Sequence, residues 1–235
     1  MIAIIDSRQP RKISKSLESR GFKVIGLPPF PTLSEPVSAH PDMLMFIACG
    51  VLLTHRDYYA IAQSKIDTIV ASAGLDILLC DAPVGGKYPH DILFNVARVG
   101  RFLIGKQGFI THQLIEICRN NSPEFIDVKQ GYAKCSTCVV SDTSIITSDR
   151  GIASAARTHG IDSLIIRPGH VSLPGYDTGF IGGASGMCGG NVYFSGNLDL
   201  HPDAVSIRAF CATHGKTAVS LSEGTLFDGG SILFV

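Results

Sequence analysis

Residues 132–168 read YAKCSTCVVSDTSIITSDRGIASAARTHGIDSLIIRP. Two β-rich runs, CSTCVV and SIITSD, flank Ser141 and Asp142, a pair suited to a tight turn. Asp149 stands where its carboxylate can accept from the free amides of a helix over GIASAARTHG. The apolar run SLIIRP then follows as a third strand. The stretch therefore reads strand, strand, helix, strand.

The same order recurs along the chain, which sets the architecture before any single motif is weighed. Residues 42–47 and VLLTH predict a strand pair, a helix follows from Asp57 to Ser72, and DILLC closes that copy. Tyr59, Ile61, Ile66, Ile69 and Val70 fall at helical spacing within it. DILFNV, RFLIG, a helix from Ile110 to Arg119 and FIDV form the next copy. Downstream, GFIGG and NVYFSG flank a glycine-rich crossing, Pro202 suits the first turn of a helix reaching Thr213, and TAVSL is the last strand. The remaining copy is split between the termini. It takes SILFV from the end of the chain, MIAIID from its start, a helix from Lys12 to Arg20 and the strand KVIGL. Residues 228–235 are thus expected to pair with residues 1–6.

Each copy opens on a polar residue: Asp42, Asp91, Lys134, Asp177 and Asp228. Their spacings are 49, 43, 43 and 51 residues, and 49 through the joined termini. One unit cannot hide both an apolar sheet face and an amphipathic helix, so five units are expected to pack in a ring with helices outside. That makes residues 1–235 a single α/β domain, an α/β propeller of five ββαβ repeats around a central channel where the five opening residues converge.

At 45% hydrophobic residues and a mean hydropathy of +0.26, the chain can bury a large core. Twenty basic residues balance twenty acidic ones, so bulk charge supports neither nucleic-acid nor acidic-membrane binding. No apolar run reaches membrane-spanning length and the N-terminus lacks the pattern of a secretory signal, so a soluble cytoplasmic protein is expected. The seven cysteines sit mostly in apolar runs such as MFIACG and ILLCDA, which suits reduced, buried thiols.

Pro41-Asp42 before an apolar strand, Asp91-Ile92-Leu93-Phe94, Lys134-Cys135-Ser136 and Asp228-Gly229 with the closing SILFV resemble the repeat openings of the pentein fold. That is the fold of the guanidino-modifying enzymes, among them arginine deiminases, amidinotransferases and dimethylarginine dimethylaminohydrolases. KCSTCVV, ITSDRGIA, LPGYDTGFIGGASG and HPDAVSI are similar to an uncharacterised bacterial family of this fold. The resemblance implies a cysteine nucleophile near the C-terminus, a histidine at the opening of the fourth repeat and an extra acid in the second. The segment DGGSILFV has no cysteine, Tyr132 stands at the histidine position and Ile47 near that of the extra acid. It further implies that Asp42 and Asp228 hold guanidinium and amino groups, and that Asp91 is the acid orienting the histidine. What remains is a cation-binding frame without its nucleophile.

The opening residues admit two readings. Carboxylates crowded in a channel favour a bound guanidinium, amine or metal; aspartates before strands also serve simply as turn formers. Lys134 within the ring speaks against a compact metal cage, so no metal and no cofactor are assigned. Cys135 and Cys138 form a C-x-x-C without a second pair, a weak redox or zinc signal. Lys134, Ser136 and Cys138 would alternate onto one face of a strand, which makes Cys138 a candidate displaced nucleophile. Arg98 is a candidate for gripping a ligand carboxylate. The run 179–191, GFIGGASGMCGGN, fits either a flap or a tight hairpin, and no phosphate-loop pattern. The His-Pro-Asp triplets at His40 and His201 read as local turn and cap chemistry.

The expectation is a protein that binds a small cationic or zwitterionic guanidino or amino ligand. Asp42, Asp91, Asp177 and Asp228 would hold the cation, and Lys134 with Tyr132 the opposite end. A hydrolase or lyase using an aspartate base or Cys138 is the enzymatic alternative. A non-enzymatic interaction protein resembling the ribosome anti-association factors is the other.

Overall fold

A computed structural model describes residues 1–235. The chain forms a mixed α/β fold with five three-stranded sheets, each built in the order strand, strand, helix, strand. In the second sheet, Met45–Ala48 pairs antiparallel with Val51–His55, which pairs parallel with Asp76–Cys80 across the helix Arg56–Ala73. The hairpin turns on Cys49 and Gly50, both at positive φ, which matches the twist of the flanking strands. His55 Nδ1 accepts from the Asp57 amide at the start of that helix, and Gly74 ends it in the left-handed conformation.

The third sheet comprises Ala97–Val99, Phe102–Gly105 and Glu124–Asp127; the fourth comprises Cys138–Ser141, Ser144–Thr147 and Asp162–Ile165. The fifth comprises Ser185–Cys188, Asn191–Phe194 and Thr217–Ser220. Asp149 caps the helix Arg150–Thr158 by accepting from the Ile152 amide at 2.9 Å, as its sequence context predicts. In the first sheet Leu233–Phe234 lies antiparallel to Ile2–Asp6, which pairs parallel with Lys23–Leu27. The Ile2 amide donates to the Val235 carbonyl at 2.6 Å, so the expected pairing of the chain ends is present.

Burial explains how the sheets associate. The middle strands are buried on both faces, and because successive side chains point to opposite faces, each strand feeds two cores. Leu52 packs with Ile2, Ile4, Ile25 and Leu27 of the first sheet, whereas its neighbour Leu53 packs with Leu103 of the third. Ile104 meets Ile145 of the fourth sheet, Ile146 meets Val192 and Phe194 of the fifth, and Tyr193 meets Ala3 and Ile5 of the first. Five apolar cores thus link each sheet to the next, and the last links the fifth back to the first.

The strand openings correct the sequence reading at one recurrent point. Residues 42–44 are not strand: Pro41–Leu44 is a helical turn with proline at its start. Ala133–Ser136 is likewise helical, so Lys134, Ser136 and Cys138 do not alternate on one strand face. The strand expected over DILFNV begins only at Ala97, and GFIGG precedes rather than forms the strand Ser185–Cys188. No helix is long and apolar enough to cross a membrane.

Candidate active site

The turns that precede the first strands bring a polar cluster together. Asp42, buried, accepts the Ser231 hydroxyl at Oδ2 across 2.7 Å. The Cys135 thiol donates to the same carboxylate, its Sγ lying 3.2 and 3.3 Å from the two oxygens. Lys134 Nζ donates to Ser231 Oγ at 2.8 Å, so one hydroxyl separates the ammonium from the carboxylate. Asn95, fully buried, fixes this turn: its Oδ1 accepts from the Lys134 amide at 2.8 Å, and its Nδ2 lies 3.1 Å from Cys135 Sγ.

Asp228 sits beside this group. The Phe180 amide donates to its Oδ2 at 2.8 Å and the Gly230 amide to its Oδ1 at 3.0 Å, while His40 Nδ1 is 3.9 Å from Oδ1. The glycines make this proximity possible: a methyl on Gly183 would overlap the Asp228 carboxylate, and one on Gly230 the His40 side chain. Burial raises the pKa of Asp228, partly opposed by His40. Burial first, then the charges of Asp42 and Asp228, push the Cys135 thiol well up, so it is protonated here. Asp91 is buried as well and accepts the Tyr132 hydroxyl at 2.7 Å; its other oxygen has no partner, and burial raises its pKa.

Two cavities meet this cluster. The first, about 280 Å³, is lined by residues from the first strand of every sheet, among them Phe46, Arg98, Val139, Met187 and Phe234, with Asp42 and Lys134 also in its wall. Arg98 is exposed there and donates from Nε to the Gly100 carbonyl. The second, about 120 Å³, is walled by Tyr132, Tyr176, Phe180, Leu173 and Val37, with His40, Cys135 and Asp228 as its polar edge.

Of the residues singled out from sequence, Asp42, Lys134 and Asp228 come together, with Asp91 and Tyr132 joined to each other alongside. Asp177 lies apart, exposed in a surface depression with His170 and His201. In its place the fifth unit contributes backbone: the Gly183 amide donates to the Cys135 carbonyl, and its carbonyl accepts from the Gly229 and Ser231 amides. Cys138 is fully buried between the fourth and fifth sheets, its thiol pushed up to about 11 by desolvation. All seven cysteines are free thiols; Cys49 is exposed and Cys188 partly so.

From sequence, His40 reads only as turn and cap chemistry and Cys135 only as half of a weak C-x-x-C signal, and nothing singles out Ser231. His40, Asp42 and Cys135, from other units than the resemblance implies for a catalytic pair, place one nitrogen, one oxygen and the sulfur within 4.8 Å of one another. The signals were the His-Pro-Asp triplet and the first cysteine of the C-x-x-C.

The model of a family of unknown function, DUF6873, matches residues 4–233. The chain belongs to this family. No curated protein matches the DUF6873 chain in sequence. Among solved structures, dimethylarginine dimethylaminohydrolase (DDAH) from Pseudomonas aeruginosa, a cysteine-to-serine variant with citrulline, superposes with TM-score 0.57 at 11% identity, over 94% of this chain and 91% of that one. The amidinotransferase SxtG from Microseira wollei, of a saxitoxin pathway, gives 0.56 at 12% identity over 90% and 73%. Agmatine deiminase from C. jejuni gives 0.54 at 7% identity over 94% and 87%. At these identities the likeness shows the fold alone, and the fold of this DUF6873 chain is the pentein fold.

Proposed function

We propose that the chain is a single-domain five-bladed α/β propeller that binds a small organic cation, a guanidino or amino compound, at the end of its central channel. The cyclic succession of five cores and the cavity walled by all five first strands support the propeller. One observation carries the ligand class: a buried carboxylate, Asp228, edges a small cavity whose walls are Tyr132, Tyr176 and Phe180. A carboxylate removed from water, with one backbone amide on each oxygen, keeps further acceptor capacity that a planar or compact cation held between aromatic faces would fill. About 120 Å³ accommodates a guanidinium or amine head with a short tail. The pentein neighbours named for work on arginine-like compounds support the same class.

The test is a thermal-shift series with arginine, agmatine, citrulline and polyamines on the native protein and on Asp228→Asn. A ligand at about 100 times its Kd stabilises by about 2.7 kcal/mol. A cationic hit lost in Asp228→Asn supports the reading; stabilisation that persists in the variant rejects this carboxylate as the anchor.

The thiol placement favours a second, enzymatic reading, with Cys135 rather than Cys138 as the reactive group. Cys135 edges the same cavity, within reach of His40 and Asp42. In that case Cys135→Ala abolishes turnover of the bound compound and leaves its binding in place; turnover in the variant excludes Cys135.

A further inference from the structure

The polar edge of the small cavity contains more than an anchor for an organic cation. His40, Asp42 and Cys135 are each at most 3% exposed, and their donor atoms converge within 4.8 Å. His40 Nδ1 is buried without a hydrogen-bond partner, an arrangement that costs free energy unless something accepts or is ligated there. We propose that His40, Asp42 and Cys135 form a binding site for a divalent transition metal, zinc foremost, with the fourth coordination position open to the aromatic-walled cavity.

The donor set argues for zinc. One imidazole, one carboxylate and one thiolate make the mixed nitrogen, oxygen and sulfur set that a borderline ion such as zinc accepts, unlike the all-oxygen shells that calcium and magnesium require. Ideal zinc–ligand lengths place tetrahedral donor atoms roughly 3.3–3.5 Å apart. Cys135 Sγ already lies 3.2–3.3 Å from Asp42, and a ring nitrogen of His40 lies within 4.8 Å of both donor groups.

The charges close as well. Zinc with one thiolate, one carboxylate and a neutral imidazole is a neutral group, and binding releases the Cys135 thiol proton to solvent. Asp228 stands beside it, held by the Phe180 and Gly230 amides, and Lys134 is kept off Asp42 by the Ser231 hydroxyl.

Supporting partners are in place. Ser231 orients the Asp42 carboxylate, and Asn95 fixes the turn bearing Cys135 and contacts its sulfur. Cys135 is held in a helical turn rather than a strand, which is what lets its side chain reach Asp42 across a sequence separation of 93. Gly230, at φ +69°, leaves room for the His40 ring against the C-terminal segment.

The experiment is a titration of chelator-stripped protein with Zn²⁺ by calorimetry and with Co²⁺ by absorption, without any amine or guanidine present. The organic-cation screen is repeated in chelator, so that failure of either reading leaves the other standing. Expected are one ion per chain, a near-ultraviolet thiolate-to-cobalt band, and about one proton released per ion. The band persists in Cys49→Ser, which removes the exposed cysteine, and disappears in Cys135→Ser. His40→Ala weakens zinc by more than the about 10–100-fold that loss of a supporting partner costs. A native protein without the cobalt band overturns the proposal even if the variants fail to fold. Binding unchanged by Cys135→Ser in a protein with native circular dichroism also overturns it.

Discussion

Ser231 donates its hydroxyl to Asp42 across 2.7 Å, although 189 positions separate the two residues. The same oxygen accepts from Lys134 Nζ at 2.8 Å, so one side chain ties together the openings of three units. Replacing Ser231 with alanine leaves a buried carboxylate and a part-buried ammonium short of a partner, at a cost of about 1–3 kcal/mol. For a chain of this size that corresponds to a fall in Tm of about 2–12 °C. Ser231 also occupies left-handed backbone at φ +73°, where an L side chain is strained. Ser231→Gly therefore loses the same hydrogen bonds while relieving strain, and its Tm should lie above that of Ser231→Ala. A Ser231→Ala protein that melts with the native one would show that the hydroxyl bridge contributes nothing, and a glycine variant melting below the alanine one would remove the strain.

Asp91 makes the fold pH-dependent in a definite direction. Burial raises its pKa in the folded state, so between the ordinary carboxylate range and the raised value the folded chain holds a proton that the unfolded chain releases. The associated stability is full at low pH and declines as pH rises through the folded pKa. Asp228, raised for the same reason, adds a decline of the same sign. Asp91→Asn still accepts from the Tyr132 hydroxyl but cannot ionise. Its Tm should match the native protein at the acid end and equal or exceed it at neutral pH, a shallower decline overall. Parallel Tm–pH curves for the two proteins would rule out an ionising buried Asp91.

Binding of an organic cation should follow the same chemistry in the opposite sense. The cation pairs with ionised Asp228, whose proton burial retains above the usual carboxylate range. Affinity for agmatine or a like compound should thus rise with pH, by about tenfold per unit below the pKa of Asp228 and with one proton released per ligand. Above that pKa it levels off, and Asp228→Asn has weak, pH-independent binding. Calorimetry in two buffers of different ionisation enthalpy reads the proton directly. Tight binding with no proton uptake or release on the acid side would place the ligand away from Asp228.

The repeat was legible because both faces of each middle strand are buried and each helix covers a sheet, which leaves apolar runs of the right lengths: MIAIID and VLLTH contain the observed middle strands Ile2–Asp6 and Val51–His55. The site was legible only in outline. Its residues lie on turns such as Pro41–Leu44 and Ala133–Ser136, too short to leave a hydrophobic period. Read as strand, Lys134 pointed with Cys138; as helical turn, residue 135 reaches the cavity and Cys138 enters the core. Asp177 matched the other openings by spacing, but the longer lead into Ser185–Cys188 leaves glycine backbone at the cluster and that aspartate outside. His40 gave only a local turn and cap signal and Ser231 none, because their partners lie in other units.

The split first unit gives the strongest test of cyclic closure. Leu233–Phe234 completes the sheet begun by Ile2–Asp6, and Phe234 packs against Phe22 and Tyr193, linking the chain ends to the first and fifth sheets. If the five units close on one another, the native ends are one more connection rather than a structural boundary. Joining residue 235 to residue 1 through a few glycines and opening the chain between Pro168 and Gly169, in an exposed loop between the fourth and fifth units, then preserves every sheet. Such sites tolerate new termini because few buried backbone groups are disturbed. The permuted protein should melt cooperatively with stability within about 2 kcal/mol of native, since altered loop length costs only about 0.6 kcal/mol per doubling. Phe234→Ala should weaken both forms alike, by about 2 kcal/mol for a partly buried ring. A permutant that is unfolded while Phe234→Ala is harmless in the native chain would mean that the termini pair without closing the ring.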